Sequence, residues 1–281
     1  MSSVSRAVPK VLIAVIVASL LPLSLTGCTR YRVRREMHDG NAAYKAEQYD
    51  KAIRHYESVV KMAPNRDDAW LNMAYSYRAL YRPGSEHPKD VSYADKGLEA
   101  FRKYMQLRPD DDGARQYYLE FCQSALRYDD AIALFEEDLR KKPNDAQRIR
   151  ALASLYIKKK DVDNAMRLWR RWTQVDPQNP ESHYTIGVAS FDRSYKSQFL
   201  SADERRAIIK EGMEALGKAL EIRPDYFDAL AYMNLLYRER AKLLASEGDL
   251  VAAQEDIATA DRYQKKALDV RRAQIKAEKA G

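Results

Sequence analysis

Cysteine is scarce in this 281-residue chain, which contains only Cys28 and Cys122. A framework of several disulfides is therefore excluded, and so are zinc sites built from cysteine pairs. The four histidines are scattered along the chain and form no H-E-x-x-H motif: His38, His55, His87 and His183. The sequence thus predicts neither a metal ion nor a cofactor.

Motifs of common catalytic sites are also missing, since no G-x-S-x-G occurs. The segment Gly212–Ala219 comes close to a phosphate-binding loop, but it ends in alanine where a Mg²⁺-binding hydroxyl belongs, and no strand precedes it. We expect this segment to lie inside a helix. Cys122 stands at a position that favours a buried, inert thiol over a nucleophile. These absences predict a protein that is not an enzyme.

Long hydrophobic runs are limited to one, near the N-terminus. Residues 1–10 carry two basic residues and no acid, and residues 11–25 are uncharged. At about 1.5 Å per residue, this run is too short for a hydrocarbon layer of roughly 30 Å, so it is typical of a signal peptide. The following Leu25-Thr26-Gly27-Cys28 resembles the bacterial lipobox. We predict a lipoprotein signal peptide at residues 1–27 and lipidation of Cys28, with an uncleaved anchor as the alternative.

Residues 28–35 form a basic tether after the predicted lipid. Its arginines are predicted either to contact anionic headgroups or to remain in solvent: Arg30, Arg32, Arg34 and Arg35. Two or three acyl chains on Cys28 hold a protein on a membrane, because a single chain anchors only marginally. We expect a location in the cell envelope, facing the periplasm. Thr29 stands where, in enterobacteria-like sorting, an aspartate retains lipoproteins at the inner membrane, which favours the outer membrane.

The net charge of +7 comes from 48 basic and 41 acidic residues that are interspersed along the chain. They form no concentrated basic stripe of the kind that nucleic-acid binding requires. Export would also separate the chain from nucleic acids. We therefore expect protein partners and a membrane, and no nucleic acid.

Five prolines are each followed by Asn, Asp or Gln: Pro64, Pro109, Pro143, Pro177 and Pro224. Successive prolines of this set are separated by 45, 34, 34 and 47 residues. Small residues recur between them, where two antiparallel helices approach closely: Gly40, Ala52, Ala74, Gly97, Ala131, Ala153, Ala165, Gly187 and Gly212. Aromatic residues recur after each second small position: Tyr56, Phe101, Phe135 and Trp169. Internal periodicity of this length is typical of a helical repeat protein.

This pattern resembles the tetratricopeptide repeat (TPR) family, here in the form of a bacterial lipoprotein. The resemblance implies an all-α fold, a right-handed α-solenoid of about six TPR helix pairs with a long C-terminal capping helix. The solenoid would cover residues 36–280, with units at about 33–66, 67–111, 112–145, 146–179, 180–226 and 227–280. We expect acids after the prolines to cap the next helix.

Two insertions fall between the first and second helices of their units. Residues Tyr81–Val91 contain Pro and Gly and are predicted to form a loop. The other insertion is near Ser194–Asp203, where Ser201 is predicted to cap a helix over Ala202–Glu221. We expect the last helix to run from Asp249 to about Ala280.

The resemblance also implies that the first helix of each unit, helix A, lines the partner surface. The residues expected there are Asn41, Tyr44, Tyr75, Arg78, Gln116, Glu120, Arg150, Lys158 and Tyr184. Tyrosine and arginine are residue types that often dominate interface energies. We expect Tyr75, Arg78 and Arg150 to converge, and we expect neither Tyr75 nor Arg78 to hold a packing position. An ordinary solvated face is the alternative interpretation.

The carboxylate clamp of chaperone-tail receptors is one TPR function that can be tested in the sequence. Asn41 and Asn72 match its two asparagines, but Met37, Gly113 and Tyr117 stand where its cations belong. We therefore do not expect a carboxylate clamp.

We predict a membrane-anchored periplasmic TPR scaffold that mediates protein–protein interactions, for example in the assembly of a secretin, a pilus or outer-membrane proteins. The alternative is a ligand-binding subunit for a glycan or peptidoglycan fragment, with Tyr75, Tyr184 and Phe191 as stacking platforms. The fold alone does not choose between them.

Overall fold

A computed structural model describes the backbone of residues 10–280 and the side chains of residues 28–279. This part of the chain forms twelve α-helices and no strand. They are α1 (Lys10–Lys45), α2 (Tyr49–Met62), α3 (Asp67–Leu80), α4 (Pro88–Leu107), α5 (Asp112–Ser124), α6 (Tyr128–Lys141), α7 (Ala146–Lys158), α8 (Val162–Val175), α9 (Pro180–Lys196), α10 (Ala202–Ile222), α11 (Phe227–Ser246) and α12 (Leu250–Ala280). The predicted all-α fold is confirmed.

The helices belong to two compact units, one ending at Arg127 and the other beginning at Tyr128. In unit one, α1 to α5 each pack on the next helix, and α1 also contacts α3. In unit two, α6 to α12 pack in the same way, and α9 also contacts α11. The boundary lies in the turn between α5 and α6, inside the third predicted repeat, a division that the sequence pattern does not show.

Small residues allow the helices to approach, as predicted. A Cβ atom added to Gly40 on α1 would lie 2.7 Å from Cε1 of Tyr56 on α2. A Cβ atom on Gly187 of α9 would collide with the Leu216 side chain of α10. Real Cβ atoms do not approach that closely, because interiors are packed near their limit. The glycines at these positions therefore set the spacing between paired helices.

The aromatic residues that follow the small positions fill the spaces between helices. Tyr56 and Phe101 are fully buried in unit one, and Trp169 is 8% exposed in unit two. Trp169 belongs to a core with Trp172 and Ile186, which joins α8 to α9. Cys122 is fully buried, as predicted.

Acidic and hydroxyl side chains close the helix N-termini. Asp111, Asp145 and Asp161 each accept a hydrogen bond from a backbone N–H in the first turn of α5, α7 and α8. Ser201 forms a capping box with Glu204 at the start of α10, so the predicted cap is confirmed. The observed helix ends at Ile222, one residue beyond the prediction.

The insertion at Tyr81–Val91 is only partly a loop, so that prediction is corrected. Helix α4 already begins at Pro88, because proline fits the first helical position, where its missing N–H costs nothing. The shorter loop is held by Asp90, which is 3% exposed. Its carboxylate accepts hydrogen bonds from Arg82 at 2.7 Å and from Ser85 Oγ at 2.6 Å.

The predicted signal peptide at residues 1–27 lies outside the residues whose side chains are described. Cys28, directly after it, is exposed. Within the described part of the chain, no helix combines the length and the apolar character needed to cross a membrane.

Candidate partner-binding surfaces

The A helices of unit one, α1, α3 and α5, bring together the predicted partner residues of that unit. We call this set, together with one residue that was not predicted to bind a partner, the unit-one surface: Asn41, Tyr44, Tyr75, Arg78, Gln116, Tyr117 and Glu120. Its members are exposed or half-buried. They are linked from helix to helix by the contacts described next.

An amide cluster joins α1 to α3 on this surface. Asn41 Oδ1 accepts one hydrogen bond from Tyr56 Oη at 2.9 Å and another from Asn72 Nδ2 at 3.2 Å. Both lone pairs of the Asn41 oxygen are thereby used. The exposed Asn41 amide nitrogen is left as the donor that this cluster offers to a partner.

An aromatic and charged cluster joins α3 to α5. The Tyr75 ring packs edge-on against Tyr117, with 5.4 Å between ring centroids. The Arg78 guanidinium lies 5.5 Å from the centre of the Tyr117 ring and 3.5 Å from the Glu120 carboxylate. Glu120 also accepts a hydrogen bond from Gln116 at 3.1 Å. These five residues form one connected patch across two helices.

Tyr75 corrects one prediction, because it does hold a packing position. Its ring makes a second edge-on contact, 5.6 Å between centroids, with the fully buried Phe101. Tyr117 is 42% exposed and carries the cation of Arg78 on its ring. In the sequence, Tyr117 is notable only because it stands where a carboxylate clamp has a cation. Its exposure beside an arginine follows from tertiary packing, and no local signal predicts it.

Tyr44 and Tyr75 remain neutral hydrogen-bond donors at physiological pH. Burial, followed by the nearby Tyr117, raises the pKa of Tyr75. Burial, followed by Tyr49, raises the pKa of Tyr44. The positive charge of Arg78 acts to lower the pKa of both Tyr44 and Tyr75. This charge therefore lies within electrostatic range of both α1 and α3.

Unit two holds the remaining predicted partner residues. Arg150 on α7 is exposed and lies 5.5 Å from the centre of the Trp172 ring. Since Arg150 belongs to a different compact unit from Tyr75 and Arg78, their convergence stays a prediction. Lys158, at the end of α7, lines a groove among α7, α8 and α9.

The floor of this groove is apolar, with Ile157 and Val162 40% and 37% exposed beside the mostly buried Trp169. Ion pairs border it, including Arg193 with Asp163 at 3.0 Å. The groove offers apolar surface with a charged border, which is the usual composition of a protein interface.

Tyr184 is half-buried among other rings. Its centroid lies 5.0 Å from that of Tyr226 and 5.7 Å from that of Tyr232. Burial, followed by the charge of Asp228, raises the pKa of Tyr184 to about 12. Because of these two ring contacts, the Tyr184 ring serves mainly to pack α9 against the start of α11.

Phe191 is enclosed in a similar way. It stacks on Tyr195 at 5.5 Å and meets Tyr232 edge-on at 5.7 Å. Tyr184 and Phe191 each have two aromatic neighbours, so both rings take part in the packing of unit two. The part of the chain with described side chains also contains no group of three or more metal-ligating side chains.

Comparison with known proteins identifies the repeat. Residues 124–186 match the tetratricopeptide repeat family model. Tetratricopeptide repeat protein 13 of Homo sapiens is 22% identical over 190 residues, which cover 68% of this chain and 20% of that protein. Interferon-induced protein with tetratricopeptide repeats 2 of Cricetulus griseus is 30% identical over 113 residues, which cover 37% of this chain and 23% of that protein.

Among solved structures, a TPR repeats protein from Bacteroides fragilis aligns with 15% identity and a TM-score of 0.48, over 73% of this chain and 97% of that chain. In the Homo sapiens and Cricetulus griseus relatives, the matched region spans only about a fifth of the protein's length. The activities and partners of those longer proteins are not transferred to this chain.

Proposed function

The chain is a tetratricopeptide repeat protein, with its matched repeats at residues 124–186, and we propose that it is a membrane-anchored scaffold that binds proteins in the periplasm. Repeats of this family suggest a protein-interaction role. Extended rows of paired helices provide long surfaces for such binding, since each repeat adds one helix to the surface.

The unit-one surface is the observation that carries this proposal. Its aromatic rings, amides and one arginine–glutamate pair are exposed or half-buried, although Tyr75 also packs against the core. Tyr117 and Arg78 combine apolar area with a charge that is only partly neutralised, at 3.5 Å from Glu120. Such residues dominate the binding energy of many interfaces when a partner removes them from water.

Crosslinking in the cell envelope tests the surface directly. A photoreactive residue in place of Tyr117 should capture a defined partner, and Arg78→Ala in the same chain should reduce that capture. Lys103 is exposed on α4, a helix B, and a photoreactive residue there serves as the matched control. Equal capture from both positions would exclude the unit-one surface as the binding site.

The membrane anchor is the second part of the proposal. It rests on the order of basic, apolar and small residues before an exposed Cys28. Labelling with a fatty-acid analogue should mark the wild type and leave Cys28→Ser unmarked. Equal labelling of both would disprove lipidation at Cys28.

The location at the outer membrane rests on Thr29 alone. Density fractionation should place the wild-type protein with outer-membrane markers and Thr29→Asp with inner-membrane markers. The same fraction for both proteins would contradict this sorting signal. A role in the assembly of a secretin, a pilus or outer-membrane proteins remains part of the proposal, to be decided by the crosslinked partner.

The alternative of a glycan or peptidoglycan ligand receives no support from the aromatic side chains. Its three platforms, Tyr75, Tyr184 and Phe191, each have a ring neighbour within 6 Å between centroids. The scaffold is therefore the function that the geometry favours.

A further inference from the structure

A groove opens where residues 29–37 of α1 pass the end of α2. Its floor is formed by Val33, Met37, Met62 and Ala63. Met37, which stands where a carboxylate clamp has a cation, is 6% exposed. The floor is apolar, and the groove belongs to unit one.

Arginines border this groove. Arg30 and Arg34 contribute from α1, and Arg66 contributes from the segment before α3. At about 100° per residue, Arg30 and Arg34 lie roughly 40° apart around the helix, so they share one face. Arg66 is already paired with Asp68 at 2.7 Å, which leaves the two α1 arginines as the open charges.

The acids nearest to these arginines in sequence have other partners. Glu36 lies 2.7 Å from His55 Nδ1, and Asp39 lies 3.7 Å from Arg35. Within the described residues, Arg30 and Arg34 make no ion pair. The groove therefore combines an apolar floor with uncompensated positive charge, and this composition is complementary to a phosphate group attached to hydrocarbon.

The predicted lipid anchor beside the groove suggests the source of that phosphate. Arg30 and Arg34 follow Cys28 by two and six residues, which is about 3 and 9 Å along a helix. A lipid on Cys28 would hold them within the headgroup layer. Tyr31, on the same turns of α1, is 70% exposed, and tyrosine is enriched at the membrane–water interface.

We propose that this groove binds the headgroup of an anionic phospholipid, so that the first repeat sits directly on the membrane. Arg30 and Arg34 hold the phosphate, and the methylenes of the lipid lie against Val33, Met37 and Met62. The proposal rests on the proposed membrane anchor, which would bring the groove to the headgroup layer, but the recognition itself is by side chains and can be measured on a protein without acyl chains.

Vesicle binding by a lipid-free protein tests the groove. The protein begins at residue 28, the predicted first residue of the mature chain, and carries Cys28→Ser. Circular dichroism checks that each variant is folded. We expect binding to vesicles that contain phosphatidylglycerol and no measurable binding to pure phosphatidylcholine vesicles.

Two double variants with the same loss of charge distinguish the groove from general attraction. Arg30→Gln with Arg34→Gln should weaken binding on the order of tenfold or more, because each arginine near an anionic surface contributes substantially. Arg32→Gln with Arg35→Gln removes equal charge from another face of α1, and we expect a loss below about threefold. Equal losses from the two pairs would overturn the groove assignment.

Further outcomes also decide the proposal. Absence of wild-type binding to phosphatidylglycerol vesicles would overturn it. Tighter binding to polyglutamate than to vesicles would assign the groove to an acidic protein and overturn the lipid assignment. Fatty-acid labelling of Cys28 is a separate measurement. The experiments therefore distinguish an error in the groove assignment from an error in the predicted lipidation of Cys28.

Discussion

The aromatic side chains on the A helices have different surroundings in the two compact units. In unit one, Tyr117 remains 42% exposed and carries Arg78 on its ring. In unit two, Tyr184 is placed between Tyr226 and Tyr232. The difference lies in the neighbours, because the segment that begins α11 is itself aromatic. A tyrosine on an A helix thus becomes surface or packing residue according to the rings that contact it within its own unit.

The largest expected effect is in the core of unit two. Trp169→Ala should lower the free energy of unfolding by about 3–5 kcal/mol, since it leaves a large cavity beside Trp172 and Ile186. Denaturant unfolding measures the loss, and hydrogen exchange should show α8 and α9 losing protection first. Equal loss of protection in α1 to α4 would show that the two compact units do not unfold separately.

The next effect tests the comparison itself. Tyr184→Ala should destabilise the protein by about 2 kcal/mol, less than a fully buried aromatic, because the ring is half-buried. Tyr117→Ala should stay within about 0.5 kcal/mol, as is usual for surface positions. Thermal and urea unfolding of the two variants compare these values. Similar losses would remove the distinction between a packing and a surface tyrosine.

The same comparison of the two units can be made for partner binding, with one exposed arginine replaced in each unit. Arg78→Ala should weaken binding of the crosslinked partner by about 1–2 kcal/mol, as expected for an arginine within an interface. Arg150→Ala is the matched change in unit two, where Arg150 also lies over an aromatic ring, and should have a smaller effect. The dissociation constant of each variant for the purified partner measures these effects. Equal effects would support the sequence-based prediction that Tyr75, Arg78 and Arg150 converge on one binding surface.

The smallest effect concerns the cap of α8 and depends on pH. Hydrogen bonds from the Asn164 side chain and then its backbone N–H lower the pKa of Asp161. The stabilisation is therefore complete above the unfolded pKa of about 3.9 and is lost as the pH falls through the lower folded pKa. Asp161→Asn keeps a good cap that does not titrate. Its melting temperature should fall less steeply than that of the wild type below pH 4; identical acid profiles would contradict this assignment.

Much of the fold could be predicted because the repeat pattern indicates where helices begin and where they pack closely. Gly187 indicated a close helix contact, and a side chain there would collide with Leu216. Ser201 indicated a helix start, and it forms the capping box. Both are local or nearest-neighbour features, which sequence patterns express well. The loop at Tyr81–Val91 was predicted too long because Pro88 also suits the first turn of a helix.

The candidate site was less predictable. Six predicted partner residues do gather on the unit-one surface, since helix periodicity places them on one side of α1, α3 and α5. Tyr117 was missed as a member, and Met37, which the sequence marked only as lacking a clamp cation, is buried and lines a groove. In both cases the environment is set by a side chain distant in sequence, such as Arg78 or Met62.

The sequence by itself determined the helices, their pairing and the buried thiol of Cys122, because each follows from spacing within one repeat. Tertiary structure alone decided where the compact units divide, which tyrosines remain accessible and where Arg30 and Arg34 meet an apolar floor. These features depend on which side chains from different helices come into contact. A repeat pattern defines positions that are equivalent along the chain, whereas burial and charge compensation depend on the particular neighbours that each position acquires.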